Sequence, residues 1–435
     1  MKRDAGQGVG DVTNLNQPRG LRPMQLAWLA GSIFIVSSGY GALLPVLPAW
    51  LNAMLPGVSA AEVGRHVGFL SGVYAAGVLV GAPLWGLASD RVGRGRILVT
   101  GMVGYVASLL LLLLPQMAGL WAIYALRGTT GFFVAAVVPV VAALVAEHTP
   151  KEKRAQRFAW LGAMSLLGFL FGPALGAVAH QIGSRLSGAT ASASLSAQVV
   201  LVLSALLGGV MMVGLAVTVP ASPVADAFKE ADTLHAPRGH PVALLCLSST
   251  VMFVLAGFEL GLVLQGQQGG PSSRQAALML AECSLVMLGV NALLFATSML
   301  EKIPTRILMM AGLVLATVGL GVLTVDRSGV WMYAGVSLTS AGTGLVLPGI
   351  AFMAAGATPS KLGVVMGGLA ASAGFGQTLG SAAGGWLFGA AAQGGFAWLA
   401  LPLVAMTIVL VVRPEWWSAA ITVPVPKSAR PRHKI

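Results

Sequence analysis

Gly86-Leu87-Ala88-Ser89-Asp90-Arg91-Val92-Gly93-Arg94-Gly95-Arg96 is a short, densely charged loop joining two apolar runs, 67–88 and 97–115. Its glycines suit a tight turn, and its charges cannot enter a hydrocarbon phase, so the runs on either side must cross while the loop stays in water. Outward from this loop the same pattern repeats. Apolar runs recur at 27–50, 120–146, 158–180, 197–220, 241–264, 276–299, 307–325, 330–357, 364–391 and 396–412. Each approaches the roughly 20 residues that a helix needs to cross a hydrocarbon core about 30 Å thick. Only 9% of the 435 residues are charged, against about 25% in soluble domains. A soluble enzyme, a disordered chain and a disulfide scaffold are all excluded. The fold class is an all-α membrane protein of twelve transmembrane helices.

A net charge of +12 raises the question of nucleic acid, and the placement of the basic residues answers it. Of the 26 Lys and Arg, all but Arg65, Arg185, Arg274, Arg327 and the intra-span Arg127 fall on the same side as the N-terminus. Such a bias sets both termini in the cytoplasm and accounts for the charge without nucleic acid. Cys246 and Cys283 both lie inside apolar runs, so neither an outer disulfide framework nor a zinc spacing is expected. The polar start leads into a run too long for a signal peptide, and the first span is expected to be retained.

The polar stretch 221–240 divides the chain into halves that repeat. Pro139, Thr149 and Pro150 recur, at one common spacing, as Pro348, Thr358 and Pro359; the ladder Gly168, Gly172, Gly176 recurs as Gly376, Gly380, Gly384. The expected organisation is a cytoplasmic segment 1–26, a six-helix bundle 27–220, a cytoplasmic connector 221–240, a second six-helix bundle 241–412 and a cytoplasmic tail 413–435. Duplicated halves with a site at their interface are the architecture of secondary transporters.

The loop resembles the cytoplasmic signature of the major facilitator superfamily, G-x-x-x-D-R-x-G-R-x-R, at Gly86, Asp90, Arg91, Gly93, Arg94 and Arg96. The resemblance implies that Asp90 meets the start of span eleven and latches the cytoplasmic side shut, with Arg91 and Arg94 in support. A carboxylate suits a helix N-terminus, where unpaired N–H groups carry partial positive charge. The corresponding loop of the second half is degenerate and keeps only Glu301, Lys302 and Arg306.

Arg127 lies about two turns inside span four, where a charge costs at least about 2.5 kcal/mol and must face the bundle interior or water. With Gly131 it resembles the R-x-x-x-G element of the family's drug/proton antiporters, which implies a part in proton coupling; the other reading is an arginine snorkelling to the outer interface. Gly168-Phe-Leu-Phe-Gly172-Pro173-Ala-Leu-Gly176 allows close helix approach and a bend. It also resembles the antiporter signature found in the family's exporters, with Ala177 in place of the closing glycine. Span one ends Leu43-Leu-Pro45-Val-Leu-Pro48-Ala-Trp50, again like the antiporters, but Ser37, Ser38 and Tyr40 stand where those exporters often carry an acid.

The acids at membrane depth are Glu259 and Glu282, on consecutive spans. An ionised carboxylate is costly there, so either is a candidate to carry a proton. Three structural readings stand beside this: pairing of Glu259 with Arg127, bonding to backbone, and placement at a wet outer mouth. Tyr40, Tyr124, Asn291 and Gln377 are candidates for the substrate cavity, or for packing. The function expected is proton-coupled export of a small organic molecule, a drug or an endogenous metabolite such as a siderophore, by alternating access. The alternatives are an importer of the same fold and a non-transporting sensor or scaffold. Scattered histidines and no nucleophile cluster give no ground for an enzyme, and no metal or cofactor is expected beyond the proton gradient. The expected partners are a small-molecule substrate, protons and the lipid of a bacterial inner membrane, with the chain as a monomer.

Overall fold

The computed structural model describes residues 21–114, 119–149, 151–187, 192–219, 241–265, 273–297, 299–325, 329–357, 362–390 and 394–414. The connector 221–240, most of the segment 1–26, most of the tail 413–435, and Pro150, Thr358 and Pro359 of the repeat lie outside these residues. No strand occurs among the described residues, and each of the twelve expected spans falls on helix.

Helix α1 (Pro23–Leu43) begins on a proline, which is preorganised for a first turn whose N–H needs no partner. It stops before residues 44–46, and α2 (Leu47–Met54) resumes the path. The interruption has a covalent cause: Pro45 and Pro48 bring no N–H to the carbonyls of Gly41 and Leu44. Next come α3 (Ala60–Val92) and α4 (Arg94–Leu111), separated by Gly93 alone, then α5 (Gly119–Val134) and α6 (Val138–Glu147). Span four is thus also broken, at 135–137, beside Pro139. The first half closes with α7 (Lys151–Ser187) and α8 (Ala193–Thr218). The second half contains α9 (Pro241–Gln265), α10 (Ser273–Ala296), the short α11 (Met299–Lys302), α12 (Thr305–Val325), α13 (Gly329–Ala357), α14 (Leu362–Ala390) and α15 (Gly395–Val412).

Eleven helical stretches among the described residues are long and apolar enough to cross a membrane. The remaining expected span falls on α14, which is 29 residues long and rich in Gly and Ala. It packs against α9 and α3, where small size matters more than affinity for lipid.

Packing follows the halves. In the first, α1 lies on α7 and α8, α3 on α5, and α4 on α8 and α5; in the second, α9 lies on α14, α12 on α13 and α15, and α10 on α13. The repeated glycines do the same work in each. A Cβ on Gly172 would come within 2.5 Å of the Gly41 carbonyl carbon, and one on Gly384 within 2.9 Å of Gly257 Cα. The ladder therefore seats α7 on α1 and its copy seats α14 on α9. With little apolar drive between helices in lipid, such close backbone approach is the main source of association.

Two seams join the halves, α3 with α14 and α7 with α10. The first is tight at the Ala60 end of α3. Gly68 sits so close to α14 that an added Cβ would lie 2.5 Å from Gly385 Cα, and Gly64 and Gly72 approach Gly389 and Thr378 in turn. Further along, Leu79 meets Gly374. Beyond it the same face of α3 carries exposed Pro83, Gly86 with nothing within 4 Å of an added Cβ, and exposed Asp90. Among the described residues, the close approaches of this seam lie at the Ala60 end of α3.

Candidate functional site

The α3–α4 loop is a hairpin of one residue. Gly93 turns it with φ 103° and ψ 139°, a region open to glycine and strained for any residue with a Cβ. This reversal brings Arg94 back against α3. Its Nη2 lies 2.8 Å from Asp90 Oδ1 and 2.8 Å from Glu147 Oε1 at the end of α6, while Nε donates to the same Glu147 oxygen at 3.0 Å. Nη1 donates to the Ser89 hydroxyl, which itself donates to the Gly86 carbonyl at 2.7 Å. One guanidinium thus ties three helices of the first half together. Arg91 and Arg96 are exposed. Asp90, 58% exposed at its side chain, has Arg94 as its ion-pair partner; the residues at 358–361, just ahead of α14, are outside the described set. Glu147 was not singled out by the sequence, because nothing in its neighbourhood announces that α6 ends beside the hairpin.

At mid-membrane Arg127 is buried, 3% exposed. It does not snorkel. Its guanidinium lies 4.7 Å above the Tyr74 ring, a cation–π contact worth about 2 kcal/mol when desolvated. Tyr74 in turn stacks on Tyr40 with ring centres 5.1 Å apart. Tyr40 stands within electrostatic reach of Gln377 on α14, of Arg127 and of Glu259. Arg127, Tyr40, Gln377 and Glu259, chosen separately in the sequence, are brought to one place and draw on both halves. Tyr74 joins them without a sequence signal, since an aromatic in an apolar span reads as packing. The charged pair of this set does not touch. Arg127 has no ion pair among the described residues, and Tyr40 is within electrostatic reach of both it and Glu259.

The other candidates lie apart. Glu282 accepts a 2.5 Å hydrogen bond from Ser337 of α13, with Cys283 in electrostatic reach of both acids. Tyr124 is hydrogen-bonded to His66 Nδ1 at 2.8 Å on α3. Asn291 folds back on its own helix and donates to the Met287 carbonyl at 2.9 Å. Gly168, Gly172, Pro173 and Gly176 line the α7 face that meets α1, with Gly176 more loosely set, an added Cβ lying 3.6 Å from the Ala42 carbonyl. Ser37 and Ser165 bridge the same two helices at 2.9 Å. No group of three His, Cys, Asp or Glu side chains suited to a metal occurs among the described residues.

Comparison with known proteins gives a consistent picture. The sequence pattern of the Major Facilitator Superfamily matches residues 29–294. The chain is 36% identical over 147 residues to the tetracycline resistance protein, class B, of Escherichia coli, covering 33% of this chain and 34% of that one. It is 33% identical over 168 residues to the class H protein of Pasteurella multocida, covering 39% and 40%. With the quinolone resistance protein NorA of Staphylococcus aureus it shares 25% identity over 162 residues, 37% and 40% of the two chains. These matches span only about a third to two fifths of the relatives' length. Among solved structures, the human organic anion transporter MFSD10 (TETRAN) superposes with a TM-score of 0.66 at 20% identity, over 89% of this chain and 100% of that one. That likeness speaks for the fold.

Proposed function

The chain belongs to the Major Facilitator Superfamily and is a multi-pass membrane transporter, and on that premise we propose that it expels a small organic molecule from the cytoplasm in exchange for protons. The observation that carries this reading is the ionisable set shared by the two halves. Tyr40 of α1 lies near Gln377 of α14 and within electrostatic reach of Arg127 in its own half and Glu259 in the other. Any rocking of the halves about the central cleft changes those separations, so the state of the carboxyl and the conformation are coupled. Protonation of Glu259 or Glu282 from outside favours release of cargo there, and loss of the proton inside resets the carrier. Coupling demands that proton and cargo each bind the two conformations with different affinity.

Residues 27–220 and 241–412 are then the two rocking bodies, and 221–240 their connector. The excess of Lys and Arg on the N-terminal side supports cytoplasmic termini in a bacterial inner membrane. With that orientation the Ala60 end of the α3–α14 seam, where the glycines pack closely, faces outward. Asp90 is held within its own hairpin by Arg94, and the residues 358–361 that the latch would engage lie outside the described set. The family resemblance of the Gly168–Gly176 ladder supports export, as do similar proteins named for resistance to tetracycline and quinolone. These two compounds are the first cargo probes; an endogenous metabolite is the other cargo class. The carrier works as a monomer, with the proton gradient as its energy source.

Direction is tested in paired membrane vesicles. Energised inverted vesicles are expected to accumulate tetracycline or a fluorescent quinolone, and a protonophore to release it. Accumulation confined to right-side-out vesicles would overturn export in favour of import.

A further inference from the structure

We propose that a pocket behind α1, inside the first half, binds a compact monovalent anion of the size of chloride, with Arg127, Tyr105 and Ser204 as its donors. The pocket is a small cavity of about 10 Å³, room for one compact occupant, between α1, α3, α4, α5 and α8. Its polar lining is built around three side chains that are each almost wholly buried: Arg127 at 3%, Tyr105 at 2% and Ser204 at 2% exposure. Arg127 Nε, Tyr105 Oη and Ser204 Oγ are all without a hydrogen-bond partner among the described residues. Thr130, also in the lining, is already committed to the Leu126 carbonyl at 2.7 Å.

The sign of the ligand follows from the sign of the pocket. Arginine keeps its proton in proteins, no carboxylate lines the space, and an uncompensated charge at this depth costs several kcal/mol. A water molecule would answer the two hydroxyls and leave the charge standing; a single negative charge answers all three groups at once. The size follows from Gly39. A Cβ there would collide with Tyr105 Oη and stand 3.4 Å from Ser204 Oγ, so the backbone is bare where the hydroxyls need room. A bulky or divalent anion would find neither space nor matching charge. The proposal depends on neither the direction of transport nor the cargo, and it can fail without touching either.

The test is thermal unfolding of the purified full-length chain in detergent. Chloride is titrated against gluconate at constant ionic strength. A ligand that binds only the folded state raises the midpoint in proportion to ln(1 + [L]/Kd). A saturable rise is expected with chloride, bromide and nitrate, and none with gluconate. Tyr105→Phe combined with Ser204→Ala removes two oxygen atoms and is expected to weaken chloride binding at least tenfold; Arg127→Gln abolishes it. Should Arg127→Gln not yield folded protein, the double variant decides alone. Equal midpoints in chloride and gluconate for the unmodified chain overturn the proposal, with the pocket then holding water only. The same chloride curve in the unmodified chain and the double variant overturns it as well.

Discussion

Gly93 and Gly86 belong to one charged signature and carry different burdens. Gly93 holds φ 103°, so Gly93→Ala is expected to cost about 1–3 kcal/mol of backbone strain and to slacken the grip of Arg94 on Asp90 and Glu147. Gly86 is helical and nothing lies within 4 Å of an added Cβ, so Gly86→Ala should leave stability unchanged or slightly raised, as alanine favours helix by up to about 1 kcal/mol. Thermal midpoints of the two variants side by side check this; a fall of equal size in both would remove the turn argument. The signature was legible as residue types at a spacing. That one glycine serves the turn and the other an open helix face was not, because φ is a property of the path and not of the residue.

Among the elements, the α3–α14 seam brings two backbones together at Gly68 and Gly385, so it should respond to a single side chain. Gly68→Val inserts branched carbons where 2.5 Å separates an added Cβ from Gly385 Cα. The expected result is an Ala60 end that no longer closes. In a background with Cys246 and Cys283 replaced, a cysteine at Ser381, a residue 1% exposed in that seam, should then react with a membrane-impermeant maleimide several-fold faster. An unchanged rate would mean the seam accommodates the valine without opening. The helices themselves were visible in the apolar runs, but their interruptions were not. Pro45, Pro48 and Pro139 fit kinks in a lipid setting, and at 44–46 and 135–137 the helix tightens into shorter turns, with Val46, Ala136 and Val137 N–H donating to the carbonyls of Leu43, Phe133 and Val134. Breaks of that kind are decided by whether a neighbour or a turn takes up the freed carbonyls, and a linear pattern does not say.

For the whole molecule the central claim is that movement of the halves and occupancy by a proton are one event. Replacing both membrane acids, Glu259→Gln with Glu282→Gln, should abolish uphill flux driven by a proton gradient and leave exchange of labelled for unlabelled cargo intact. If the double variant still concentrates tetracycline or quinolone in energised inverted vesicles, the proton travels by another group. The two acids are not equivalent in place. Glu259 faces Tyr40 and the other half, while Glu282 is anchored to Ser337 within its own, so the single Glu259→Gln variant should account for most of the loss.

By itself the sequence determined that this chain crosses a membrane many times, that its halves repeat, and which loop carries the family signature. Those are properties of local composition and spacing, which hold whatever the helices do next. Only the tertiary structure decided that Tyr40 comes within reach of both Arg127 and Glu259, that Glu147 anchors Arg94, and that three buried donors line one pocket behind α1. Each of these depends on the rotation and crossing of helices far apart in the chain, and that is set by how closely small residues such as Gly41, Gly68 and Gly172 let their backbones approach.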